Sequence, residues 1–418
     1  MTATKLTPTI KLLKTDAVSA TENIKSRRAI GPAGVALGLL LTLRHIEGIN
    51  GTTPIIIGLF LLAAISVGTI SVKAKEKVAF NYPLLLFVGA CALSLIIGRP
   101  EPLKYCWLRL AGFIIALAAI SPAISSPSFS ILREGIWRGW WIGAIMLTGI
   151  SFFVLVVAAI TSRTADFQNF GFKGIMVLGM SLSPVAALTA IYALYQSLSI
   201  SLGRKQRIVW LALYCAATIT AIAGGSRIAI VGLIVGSAII LAFGWRKRQR
   251  KLALGLLGVI VAIGAVSIAS PAINSSIRYK TSLAIDAANP FSSRLDKWGG
   301  RVAEFQSAPL TGIGFCAQTV FNSPYDDEAY ILNGNSPEPG SSWLSLLAQT
   351  GILGTGMFLM FLIPASIKFL RNPNPLMLAV FTFLLLNGCC EGWLLYAGNI
   401  LFPVFWLLPV LPIFCNRL

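Results

Sequence analysis

The stretch NSPEPGSSWLSLLAQTGILG, residues 335–354, leaves a proline-containing polar loop and enters an apolar run that continues to about residue 363. A helix that crosses a bilayer needs about 20 mostly apolar residues, and 342–363 meets that length. The rest of the chain repeats the pattern. Of 418 residues, 56% are hydrophobic and 12% charged, against about 25% charged in a soluble domain; mean hydropathy is +0.78. Candidate spans fall at 29–44, 53–71, 80–98, 106–125, 139–161, 174–202, 208–223, 228–244, 252–270, 342–363, 376–390 and 400–415, about twelve in all. Backbone groups facing lipid must be satisfied within a helix or a closed barrel, and no segment alternates like a barrel strand. The expected fold class is an all-α polytopic membrane protein.

The spacing of these runs divides the chain into a basic tail (1–28), a bundle of about nine helices (29–270), a large polar loop (271–341) and about three C-terminal helices (342–418). The tail shows no cleavable signal-peptide pattern. A net charge of +19 would suit a nucleic-acid binder, but its distribution argues against one. Lys73, Lys75 and Lys77, then Arg204, Lys205 and Arg207, then the run RKRQRK at 246–251 sit at alternate turns. With the N-terminus cytoplasmic, most of the 34 Lys and Arg fall on the cytoplasmic side, which is the positive-inside bias. Such clusters meet anionic membrane lipids. Of the seven cysteines only Cys316 lies in an outer loop, and no Cys/His spacing suggests zinc or a disulfide framework. The lone histidine, His45 in LTLRHIEGIN, reads as interfacial.

The large loop carries internal order. In SSRLDKWGGRVAEFQSAPLTGIG, residues 292–314, Ser293 and Asp296 form a capping-box-like start. Leu295, Trp298, Val302 and Phe305 then recur on one helix face, and Arg294, Lys297 and Arg301 form a basic stripe beside it. Pro309 and Gly312 stop the helix. An amphipathic helix lying against the membrane is expected, presenting cations to something anionic. In AGGSRIAIVG, 223–232, Arg227 joins two spans at the outer boundary, where an arginine is costly unless paired or snorkelling. Arg99, Lys104 and Arg109 extend this outward-facing basic set, with Arg109 a turn into apolar sequence. Acids lie at Asp326, Asp327 and Glu328, at Glu338 and at Glu391. The three-acid run suits a hard cation in principle but reads more simply as a solvated loop, so no metal is expected. Walker, Rossmann, HExxH and GxSxG patterns are absent. Any substrate should therefore arrive already activated, or be transported downhill.

Three fragments in order carry a resemblance to a known family: the Gly-Ser-Arg turn ending at Arg227, the loop pattern Arg294…Trp298…Phe305…PLTGIG, and SSWLSLLAQTGILG at 341–354. Together they resemble the O-antigen ligase and Wzy-type polymerase superfamily of bacterial membrane glycosyltransferases, over about a third of the chain. The resemblance implies a GT-C-like helical architecture, an active site on the outer face of the inner membrane, and a substrate glycan carried on polyprenyl (undecaprenyl) pyrophosphate. It implies no nucleotide, no metal and no cofactor. Arginine forks grip phosphate oxygens bidentately, and Arg227 and Arg294 match family arginines.

One departure matters. Ligases of the family usually carry a His-Asn type pair at the head of this helix, with the histidine proposed to deprotonate the acceptor. Those positions are here Gly340 and Ser341, and His45 is too distant in sequence to stand in. The expectation is therefore a polysaccharide polymerase. Arg227 and Arg294 act on the pyrophosphate, assisted by Arg301, Lys297 and Arg109. Glu338 supplies the base, and Trp298, Trp343 and Ser341 line the glycan site. Membrane lipids and other polysaccharide-assembly proteins are the further partners. A ligase delivering glycan to lipid A core or protein, a membrane transporter and an inactive relative stay open as alternatives.

Overall fold

In a computed structural model the chain is described at residues 28–49, 52–100, 103–161, 172–177, 179–199, 202–246, 292–317, 340–371 and 373–413. The tail, the ninth expected span (252–270), the acids at 326–328 and Glu338 lie outside the described residues. Helices dominate: α1 (Arg28–Leu43), α2 (Thr53–Lys73), α3 (Tyr82–Gly98), α4 (Leu103–Ile120), α5 (Pro127–Ile160), α6 (Gly179–Ser197), α7 (Arg204–Ala223), α8 (Arg227–Arg246), α9 (Ser292–Ser307), α10 (Ser342–Arg371), α11 (Pro375–Cys390) and the short α12 (Phe402–Leu407). Five of these helices are long and apolar enough to cross a membrane, in α2, α4, α5, α7 and α10, and four more are shorter apolar helices. The chain is an all-α membrane protein; among the described residues its β-structure is a two-stranded ribbon, β1 (Ala79–Phe80) against β2 (Ile124–Ser125), and an isolated bridge of Ile46 to Met176.

Two expected spans take a different form. α5 begins twelve residues before its apolar core, because its polar first turns are satisfied internally. Ser126 caps it by accepting from Phe129 N, and Pro127 pre-sets the first turn. Arg133, 1% exposed, donates to Ala119 O at 3.1 Å and to Ile124 O at 2.5 Å. The run 400–415 is no regular span. α12 lasts six residues and gives way to a 3-10 segment, Leu408–Ile413. Pro409 lacks the N–H that would continue the α-helical ladder, and its ring opposes the carbonyl four residues back. The segment is buried rather than lipid-facing: Trp406 is 0% exposed and sits among Phe87, Phe113, Phe358 and Phe361.

The loops gather at two ends. At one end, Val177 N donates to His45 O, Phe172 N to Ala223 O, and Ser342 N to Glu391 O, while Arg44 reaches Gly398 O at 2.7 Å. The ribbon and the Glu76 carboxylate, which holds Ser128 N and Oγ, mark the opposite end.

α9 packs against α10, and α10 against α3 and α11. α10 is interrupted: Gly351 has φ 62° and ψ −167°, a combination essentially reserved for glycine. The loop after α9 fills the interruption. Ile313 N donates to Ala348 O at 3.0 Å, Ile352 N to Pro309 O at 2.9 Å and Leu353 N to Leu310 O at 3.1 Å; Ser94 Oγ donates to Gln349 O. A Cβ on Gly351 would lie 2.6 Å from Gly312 N. The expected continuous span is thus two half-helices closed by the PLTGIG loop.

Gly351→Ala should combine backbone strain of about 1–3 kcal/mol with that collision and lower the unfolding temperature in detergent by several degrees. Gly356→Ala, in the same helix with open space around it, should leave the temperature unchanged or raise it slightly. Parallel thermal melts of the two variants check this.

Candidate active site

The apolar face of α9 is partly exposed, whereas its basic face is turned into the protein. Leu295 and Val302 are 45% and 41% exposed, whereas Arg301 and Glu304 are 2% and 3% exposed. The helix starts at Ser292, so Ser293 falls in its first turn rather than on its cap. Its basic stripe faces the protein and divides in two. Arg294 NH2 lies 3.0 Å from Glu391 Oε1, with the two side chains 15% and 16% exposed. Arg301 NH1 lies 2.6 Å from Glu304 Oε2 in a fully buried pair. Lys297, between them, is half-buried.

Behind Arg301 a polar cluster joins α4, α10 and the segments that follow α9 and α11. Gln349 Nε2 donates to the Tyr396 hydroxyl at 3.2 Å, and Gln349 Oε1 accepts from Cys316 N at 2.9 Å. Arg109 stacks over Tyr105 at 4.6 Å and over Tyr396 at 5.4 Å. A hydrogen bond from Cys106, with Arg109 and Arg301 nearby, lowers the Cys316 thiol to about 7 against the opposing effect of its burial. Burial raises the Tyr396 phenol, against the pull of Arg301, Arg109 and Gln349. Arg109 and Arg301, predicted from separate stretches, therefore share one cluster.

The head of α10 is built from backbone requirements. Ser341 Oγ accepts from Leu344 N at 3.3 Å as an N-cap, and donates to Gly388 O at 3.2 Å. Ser342 Oγ donates to Glu391 O at 2.7 Å and accepts from Trp393 N at 3.0 Å. The Trp343 indole reaches Leu385 O at 3.2 Å and lies within 3.2 Å of where a Gly388 side chain would begin, so it wedges between α10 and α11. Gly340 has φ +76°, and a Cβ there would sit 2.8 Å from Lys297 Cβ; its carbonyl accepts from the Trp298 indole at 3.2 Å. Glycine at 340 thus answers a close approach of α9. A histidine there would meet both a left-handed backbone and Lys297.

Arg227 opens α8 as an exposed side chain after the buried Ser226. Arg294, Glu391 and Arg227 all lie within electrostatic reach of Cys390, which brings Arg227 and Arg294 to one region. Glu338 lies outside the described residues. His45 supports the scaffold: its ring nitrogens meet Leu41 O and Gly398 O at 3.2 Å. Burial and neighbouring Arg44 lower it to about 4, so it is neutral. Sequence reasoning gave no role to Glu391, Glu304, Tyr396 or Gln349. Only Glu304 carried a local signal, three residues from Arg301 on the helix face; the others meet α9 or the loop across long separations.

A family model described as O-antigen ligase matches residues 210–359, a range running from α7 through α9 to the second half of α10. No curated protein matches the chain.

Gly340→His should destabilise the protein and lower activity rather than add a base, with Gly340→Ala showing a smaller loss of the same sign; melting temperature and turnover of both variants test this. For His45, the unfolded chain takes up a proton near 6.5 and the folded protein only near 4. Its contribution is intact above 6.5 and declines as pH falls through this window. Wild type should lose thermal stability between about pH 7 and about pH 5 more steeply than His45→Gln.

Proposed function

We propose, on the premise that residues 210–359 belong to the O-antigen ligase family, that this membrane protein is a polysaccharide polymerase. It takes a glycan from one polyprenyl-pyrophosphate carrier and joins it to a hydroxyl of another lipid-linked repeat unit at the outer face of the inner membrane. The observation that carries the reading is the head of α10, where Arg294 on α9 pairs with Glu391 and where Arg294 and the exposed Arg227 of α8 both lie within electrostatic reach of Cys390. A lipid-linked pyrophosphate is anionic, sits at the membrane surface and leaves as a stable anion. Arginines at that level bind it and stabilise its departure.

In this reading Arg294 and Arg227 contact pyrophosphate, with Lys297 beside them. Arg301 and Arg109, held by Glu304 and Tyr396, contribute positive potential from behind. Trp298, Ser341 and Trp343 shape the glycan side. The protein is GT-C-like with about eleven regular spans, a cytoplasmic tail at 1–28, bundle helices across 29–270, an extracytoplasmic loop at 271–341 and C-terminal helices from 342 onward, the last of them packed inside the bundle. No metal or nucleotide takes part.

Glycine at 340 favours polymerase over ligase, because that position has no room for the ligase-type histidine. The interruption of α10 gives a transporter no support. Its freed carbonyls and N–H groups are taken by the chain's own loop, whereas the half-helices of transporters direct such groups at substrate.

Purified protein in proteoliposomes, given a lipid-pyrophosphate oligosaccharide and no other acceptor, should yield a ladder of repeat units on a gel. Arg294→Ala should lower the rate by about 10²-fold or more while the protein still inserts and folds, with a melting temperature lowered only modestly by the loss of the Glu391 partner. Absence of a ladder, with transfer to an added lipid A core acceptor, would assign the protein as a ligase.

A further inference from the structure

We propose that Glu391 is the carboxylate that takes the proton from the acceptor hydroxyl, an inference that rests on the glycan transfer proposed above. The main chain of Glu391 is fixed at the head of α10. Its N–H donates to Asn387 O at 2.9 Å, and its carbonyl accepts Ser342 N at 3.0 Å and Ser342 Oγ at 2.7 Å. Its side chain therefore projects from an anchored backbone, as a proton acceptor must if it is to meet one hydroxyl in one geometry.

The other carboxylates whose side chains are described are excluded by place. Glu304 is sealed against Arg301 with both side chains 2% exposed. Glu47 stands 63% exposed on Lys173. Glu76 is bound to Ser128 and Glu134 to Arg138, towards the ribbon end. Among the carboxylates with described side chains, Glu391 combines partial exposure, 16%, with an arginine partner at the head of α10, Arg294. Arg294 from α9 faces it and Cys389 and Cys390 precede it at the end of α11, with Arg227 from α8 within electrostatic reach of Cys390. A pyrophosphate held by Arg294 lies next to the carboxylate, and Arg294, on exchanging one anion for the other, loosens its hold on Oε1, the oxygen that then meets the acceptor.

The step balances without any further reagent. The acceptor O–H proton passes to Glu391 as the acceptor oxygen bonds to the anomeric carbon. The bond from that carbon to pyrophosphate oxygen breaks, and its electron pair leaves on the pyrophosphate. Water then removes the proton from Glu391.

Glu391→Gln keeps the shape and an oxygen for Arg294, so it isolates the proton transfer. In the proteoliposome assay it should lower the initial rate about 10²–10⁴-fold. Binding of the lipid-pyrophosphate oligosaccharide and the melting temperature should stay near wild type, and Glu391→Asp should recover part of the rate. The wild-type rate should fall on the acid side through a single carboxylate titration, a limb that the residual Gln rate lacks. Should the Gln variant fail to fold, the wild-type pH profile and the Asp variant still decide. A wild-type rate flat across the carboxylate range overturns the proposal, as does a Gln rate within about threefold of wild type (under 1 kcal/mol). Loss on Glu338→Gln with none on Glu391→Gln moves the base to Glu338. Wild-type protein that transfers glycan to neither a lipid-linked unit nor an added acceptor overturns the functional reading itself.

Discussion

The closure of the α10 break by the α9–α10 loop is the contact on which the site depends. An interrupted helix leaves carbonyls on one side and N–H groups on the other without partners, and in a bilayer each such group costs several kcal/mol. Here Ile313 N, Pro309 O and Leu310 O satisfy that need. The loop cannot slide without exposing those groups, so α9 cannot slide either. Its anchored position sets Arg294 against the loop after α11 and carries Arg301 into the interior. The two motif fragments PLTGIG and LLAQTGILG, read separately in sequence, are the two halves of one joint.

This joint also explains which parts of the fold were legible. α9 was readable because spacings of three and four residues put its faces on record, and Pro309 and Gly312 mark its end. The break in α10 was not. A single glycine in QTGILG looks like the ordinary glycine content of membrane helices, and only the φ of Gly351, fixed by a loop from elsewhere, distinguishes it. α5 was read short because Arg133 and Glu134 look unfit for a buried helix, until the carbonyls of Ala119 and Ile124 are seen to receive the guanidinium. Pro409 and Pro412 were visible signals against a twelfth regular span, outweighed by the hydropathy of their neighbours.

In the candidate site the cations stand out in the sequence and the carboxylates beside them do not. Arg227, Arg294 and Arg301 stand out because charge is rare at such positions. Glu391 stands in a short loop 97 residues from Arg294, and nothing local to CCEGWLL announces the pairing. Gly340 shows the same limit from the other side. In sequence it is the absence of a histidine; in the structure it is the place where α9 comes within a methyl group of α10's head.

The two arginines of α9 form pairs of different kinds, and the difference decides which of them substrate can engage. Removing one partner from a buried pair leaves an uncompensated charge, at about 3–5 kcal/mol, so Arg301 stays with Glu304. A pair nearer the surface is held more weakly, with fully exposed pairs contributing about 0–1 kcal/mol. Arg294 and Glu391, about 15% exposed, lie between these limits. A pyrophosphate with two negative charges and several acceptor oxygens competes for the guanidinium there on better terms than one carboxylate does. The buried pair holds the helix in place, and under the proposed reaction the rim pair is the one that opens to exchange. That division lets a single helix serve as both scaffold and reactive edge.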